Sequence, residues 1–108
     1  MCIRDSHYAF LSGLVAADFP AGLEVLGDVA AETRAVLTAI SSILDELQLS
    51  KDRMLKVEVH LSDLDDFDAM DAAYREFFDG DAYPARTTTQ SQRLFGDSKV
   101  EITCQVRR

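Results

Sequence analysis

Hydrophobic residues recur along this chain with two different periods, and the changes of period mark out its elements. From Met54 to Leu61 the alternation is strict. Leu55, Val57, Val59 and Leu61 fall on one side, with Lys56, Glu58 and His60 on the other. A period of two predicts a half-buried strand. Over Lys99–Arg107 the same rhythm sets Val100, Ile102, Cys104 and Val106 against Lys99, Glu101, Thr103 and Gln105. Around residues 28–47 the spacing changes to threes and fours. Val29, Val36, Leu37, Ile40, Ile43, Leu44 and Leu47 form the buried stripe of an amphipathic helix. Asp28 stands where a side chain can accept from first-turn amides, and Glu32 adds negative charge near the positive end of the dipole. A second helix, capped by Ser62 or Asp63, carries Phe67, Met70, Tyr74 and Phe77 with Phe78 beside them. Asp79-Gly80-Asp81 supplies its stop.

Weaker signals fill the gaps. His7–Leu11 reads as a strand closing at Ser12-Gly13, and Leu23–Leu26 as a short extended piece after a loop at Phe19–Gly22. Ala85–Arg93 is very polar, but three threonines favour extended backbone, and Gly96 marks a turn after it. The order is β–(β)–α–β–α–β–β. Two helices with one apolar stripe each can cover one face of a mixed β-sheet, which gives an α+β two-layer domain. Residues 1–6 show no periodicity and are expected to be a non-native leader, leaving 7–108 as the domain.

Composition narrows the classes. The chain has 108 residues, a length suited to one domain, and 47% hydrophobic residues, enough for a core. Its net charge of −8 argues against a nucleic-acid partner, which needs a basic face. No run reaches the length of a membrane span and no secretory signal is visible, so a cytoplasmic protein without a membrane partner is expected. Cys2 and Cys104 have no metal-site or disulfide pattern. Asp63, Asp65, Asp66 and Asp68 crowd the start of the second helix, where the dipole accounts for them without a metal. His60 could titrate near neutrality, but its place in a polar row reads as a solvated or interface histidine.

The candidate chemistry is Arg86 with Glu101. A guanidinium can grip a carboxylate with two parallel hydrogen bonds, and a glutamate can orient and deprotonate water. If residues 85–93 and 99–107 paired as a hairpin about Phe95-Gly96, Arg86 would lie opposite Gln105 and Glu101 opposite Gln90. The two would then share a face, roughly 13 Å apart, with room for a small ligand. A slip of one residue would part them. By residue physics alone, an ordinary surface arginine and glutamate are the favoured reading.

Several blocks together resemble the RidA/YjgF family of enamine/imine deaminases. They are Leu11-Ser12-Gly13, the helix from Asp28 to Leu47, Leu64-Asp65-Asp66-Phe67 with Met70 and Tyr74, Phe77-Phe78, Pro84-Ala85-Arg86-Thr87 and Val100-Glu101-Ile102. The resemblance implies a chorismate-mutase-like fold and homotrimers with a central barrel and clefts between subunits. It implies hydrolysis of 2-imino acids or enamines to 2-keto acids and ammonia, without a cofactor. Carried over by position, Arg86 binds the substrate carboxylate and Glu101 activates water, while Ser12, Gly13, Thr88 and Asp71 line the cleft. The chain departs from the family pattern at Leu14 (commonly glutamine), Asp71 (asparagine), Thr88 (cysteine) and Thr103 (a second acid), and at Thr89 and Ser91 (valines). The family's first strand, with a cleft tyrosine, is expected to be absent before His7. The competing readings are a non-catalytic binder of small carboxylates on the same scaffold and, by fold analogy alone, a chorismate-mutase-type enzyme.

Overall fold

Two strands with wholly apolar rows take the centre of the sheet, and the polar one is left at its rim. The structure, a computed structural model, describes residues 7–78 and 83–108 together with the backbone of Cys2–Arg4. Its strands are β1 (Cys2–Arg4), β2 (Tyr8–Val15), β3 (Met54–Leu61), β4 (Ala85–Gln90) and β5 (Val100–Arg107). Its helices are α1 (Pro20–Leu23), a single turn, α2 (Val29–Glu46) and α3 (Phe67–Phe78). The sheet order is β1-β2-β5-β3-β4. Strand β5 runs antiparallel to β2 and β3, whereas β4 runs parallel to β3. Parallel neighbours need a crossover, and α3 supplies it.

The core lies between the two helices and one face of the sheet. Val57, Val59 and Leu61 of β3 and Val100, Ile102 and Val106 of β5 are fully buried there. Helix α2 adds Val36, Leu37, Ile40 and Leu44, and α3 adds Met70, Tyr74 and Phe78. Asp28 caps α2 as expected, its carboxylate accepting from the Ala31 amide at 3.1 Å. Asp63 accepts from the amide of Asp65 at the turn that leads into α3. Among the described residues no helix is long and apolar enough to cross a membrane.

The expected hairpin between β4 and β5 does not form: β3 lies between them. The reason is in the rows. On β4 the positions facing the helices carry Arg86 and Thr88, which fill a central place poorly, while β3 and β5 present unbroken apolar rows. A polar strand at the rim also presents an edge that is less prone to unwanted pairing.

Smaller differences have equally local causes. Residues expected to stand outside the fold include Cys2–Arg4, which pair antiparallel with β2 from Cys2 opposite Leu11 to Arg4 opposite Ala9. The segment expected to be extended at Leu23–Leu26 is not a strand: Leu23 ends α1, which also takes up most of the expected loop at Phe19–Gly22, and a turn follows it, with Pro20 at the first position of α1, where a fixed φ suits a helix. In β3 the register slips between Met54 and Lys56. Met54 therefore takes the buried place and Leu55 is 41% exposed. The stop expected at Asp79-Gly80-Asp81 lies outside the described residues.

Glu32 has a larger role than a dipole partner. It is completely buried, and its two carboxylate oxygens accept from the amides of Gly27 and Lys99, both at 2.8 Å. One side chain thus ties the start of α2 to the start of β5. Thr33, a polar residue next to it, is also buried, with its hydroxyl donating to the Val29 carbonyl at 2.8 Å.

Candidate functional site

Strand register divides the expected site residues into two groups. Val57 lies opposite both Arg86 and Cys104, so Arg86 belongs to the row that faces the helices. His60 lies opposite both Glu101 and Thr89, so Glu101 belongs to the other, open face. Within one chain Arg86 and Glu101 therefore sit on opposite sides of the sheet, contrary to the shared face expected from a hairpin. The physical reason is the inserted strand, which changes the row that each residue joins.

The first group is built on α3 and β4. Asp71 lies on α3 and faces Arg86 on β4, with Nη1 donating to Oδ1 at 2.7 Å. One turn further along α3, Arg75 donates from Nε to the other oxygen of Asp71 at 2.8 Å. One carboxylate is thus shared by two guanidinium groups. Beneath them, the Arg86 guanidinium carbon lies 4.6 Å from the centre of the Tyr74 ring and 5.3 Å from that of Phe67. Such cation–π contacts orient a planar group and leave its edge free to bind. The Arg86 side chain is 21% exposed and that of Asp71 is 15% exposed.

Burial alone would raise the pKa of Asp71. Hydrogen bonds from Arg86 and Arg75, with their charges, outweigh it and hold the carboxyl below its usual value. The aspartate is thus ionised across the neutral range. Burial pushes the Tyr74 phenol up to about 12, partly offset by the charge of Arg86. The hydroxyls of Tyr74 and Thr88 are buried and have no hydrogen-bond partner among the described residues. Thr88, opposite Val59, shares the face of Arg86.

These side chains form the wall of an open pocket of about 300 Å³, lined by Asp71, Tyr74, Arg75, Tyr83, Pro84 and Arg86. Glu101 is not part of that wall. Arg75 and Tyr83 were not among the expected site residues. The spacing of Asp71 and Arg75, four apart on one helix, was a legible signal for the first; nothing local marked the second.

The second group is built on β2 and β5. Between Leu11 and Leu14 the pairing with β5 shifts by one residue, so Ser12 and Gly13 together stand against the single residue Thr103. A bulge of this kind re-aims the chain at a sheet surface. There the Glu101 carboxylate closes on Gly13: a Cβ at residue 13 would lie 2.0 Å from Oε1 of Glu101. With Glu101 in this position only glycine leaves that space. Nearby on the same face, Nδ1 of His60 and the Thr89 hydroxyl are 2.8 Å apart.

A mixed sheet with two helices on one face makes this an α+β two-layer domain, with an arginine fork at the mouth of a pocket beside its edge strand. Comparison with known proteins sharpens this. The sequence model of the family described as Endoribonuclease L-PSP matches residues 2–107. The RutC family protein PH0854 of Pyrococcus horikoshii is 36% identical over 100 residues, which are 93% of this chain and 79% of that protein. The 2-iminobutanoate/2-iminopropanoate deaminase of Escherichia coli is 36% identical over 81 residues, 73% of this chain and 63% of that protein. The crystal structure of the E. coli YjgF gene product superposes with a TM-score of 0.85 at 28% identity, covering 99% of this chain and 85% of that one. The chain belongs to this family, RidA/YjgF.

Proposed function

We propose that the protein hydrolyses reactive 2-imino acids and their enamine tautomers, such as 2-aminoacrylate and 2-iminopropanoate, to 2-keto acids and ammonia. The observation that carries this reading is the Arg86 guanidinium, held over two aromatic rings at the wall of a small pocket. A fork fixed in that way suits a small carboxylate. The relationship to an E. coli protein that bears a deaminase name supports the choice of substrate.

The reaction is R–C(=NH2+)–COO− + H2O → R–CO–COO− + NH4+. Water adds to C2, protons move from the added oxygen to nitrogen, and the C–N bond breaks with its electron pair leaving on ammonia. Glu101 is the base that orients the water and relays the proton. No cofactor is required, because the iminium carbon is already electrophilic. The setting is the cytoplasm, where pyridoxal-phosphate dehydratases release such imines.

Arg86 and Glu101 face apart within one chain, so this reading needs a cleft closed between copies. The pocket of Arg86 opens beside β4, a rim strand of the sheet. In the proposed homotrimer that rim meets the face of a neighbouring copy carrying Ser12, Gly13 and Glu101. Asp71 and Thr88 complete the cleft wall.

A purified threonine or serine dehydratase, assayed with and without the protein, tests the proposal. Ammonia and keto-acid release from the transient imine should be accelerated, and Arg86→Ala should lose at least about tenfold of that acceleration. Full activity in Arg86→Ala would end the proposal. The placement of Arg86 and Glu101 on opposite faces favours one second reading, a binder of small carboxylates without catalysis. Binding of 2-oxobutanoate with no acceleration of imine hydrolysis would select it.

A further inference from the structure

The pocket wall pairs a cation and an anion at close range. Asp71 lies between Arg75 on its own helix and Arg86 on β4, at 2.8 and 2.7 Å. The three groups carry one net positive charge, so an anion is still drawn in. A guanidinium has five N–H donors and a carboxylate oxygen accepts more than one hydrogen bond, so neither partner is saturated by the pair. A ligand carboxylate docked on the remaining edge of Arg86 lies alongside Asp71. The substituent on the adjacent carbon, C2, then comes within reach of that aspartate. An oxygen there meets negative charge, whereas a protonated nitrogen is attracted and donates a charge-assisted hydrogen bond.

We propose that Asp71 is a specificity-determining residue that reads the nitrogen at C2, so that the pocket prefers α-iminium and α-ammonium carboxylates to 2-keto and 2-hydroxy acids of the same length. The proposal rests on the reading of Arg86 as the carboxylate site and adds the polarity of the neighbouring position. In an α-iminium acid the cation and the anion sit on adjacent carbons. The Arg86–Asp71 pair presents the inverse arrangement at hydrogen-bonding distance. Arg75 strengthens the device by holding the second oxygen of Asp71, which keeps the carboxylate in place when a second carboxylate arrives. The keto product carries oxygen where the substrate carried nitrogen, and so faces Asp71 unfavourably and leaves readily.

Calorimetric titration of the full chain with three stable ligands of equal length tests this: L-2-aminobutanoate, 2-hydroxybutanoate and 2-oxobutanoate. In the wild type the amino acid should bind about tenfold more tightly than the hydroxy acid, the value of one charge-assisted hydrogen bond partly screened by water. Asp71→Asn should abolish or invert that ranking, and Asp71→Glu should keep it. A ranking unchanged within about twofold in Asp71→Asn overturns the proposal, since tenfold is expected. Equal loss of all three ligands in that variant overturns it too, because Asp71 would then only seat Arg86. If Asp71→Asn does not fold, the wild-type ranking decides alone: a hydroxy acid that binds as tightly as the amino acid refutes it. Arg86→Ala should lose all three ligands. Survival of 2-oxobutanoate binding there refutes the carboxylate site itself, a failure distinct from a ranking that ignores Asp71.

Discussion

Gly13 and Glu101 show how one side chain can constrain a residue on the neighbouring strand. The carboxylate of Glu101 occupies the space that a Cβ at residue 13 would need. Because the obstructing atom is the far end of a flexible side chain, Gly13→Ala can be accommodated by rotating Glu101 away. The variant should therefore unfold in urea within about 1 kcal/mol of the wild type, as substitutions outside packed cores usually do. Its imine hydrolysis should nonetheless fall by about 10²-fold, the typical penalty for misplacing a catalytic group. An active Gly13→Ala protein would remove Glu101 from the reaction. Arg86 illustrates the same principle from the opposite side. Its two rings, its aspartate and the second arginine on that aspartate define one orientation of the fork, which a flexible lysine would not reproduce.

Among the elements, α2 and β5 are joined by Glu32 rather than by apolar packing alone. Both of its oxygens accept from backbone amides of separate segments, Gly27 before the helix and Lys99 before the strand. Glu32→Ala would remove the acceptor of both part-buried amides and empty a fully buried side-chain site. Hydrogen bonds to a charged group are worth about 1.5–3 kcal/mol each, so a loss of about 3 kcal/mol in urea unfolding is expected. Glu32→Gln, which keeps one acceptor, should lose less. Equal stability of Glu32→Ala and the wild type would show that water satisfies both amides. The register slip at the start of β3 has the same local character: it exchanges Met54 for Leu55 in the core and leaves a leucine on the open face.

At the scale of the molecule, the open face of the sheet is the surface on which the proposed assembly depends. It carries Lys56, Glu58, His60, Glu101 and Gln105, but Tyr8 and Phe10 also stand there, 37% and 41% exposed. In native mass spectrometry the protein should appear as three copies, and Phe10→Asp should shift it to one copy with loss of imine hydrolysis. An active monomer would contradict a cleft shared between copies, since in one chain Arg86 and Glu101 face apart.

Much of the fold was legible in the sequence because periodicity depends only on neighbours along the chain. The stripes of α2 and α3, the alternation in β5 and in β3 from Val57 onward, and the cap at Asp28 follow from spacing and from local hydrogen bonding. The family resemblance was legible too, and the residues proposed for the chemistry, a fork-shaped cation and a carboxylate, could be named from the sequence. Strand order was decided only in three dimensions, because no local pattern states which strand lies beside which. The position of β3 between β4 and β5 followed from the competition of apolar rows for the space under the helices. That choice set the faces of Arg86 and Glu101 and brought Arg86 to Asp71. The bond of the Lys99 amide to Glu32 likewise joins residues far apart in the chain and is made by the packing of whole elements.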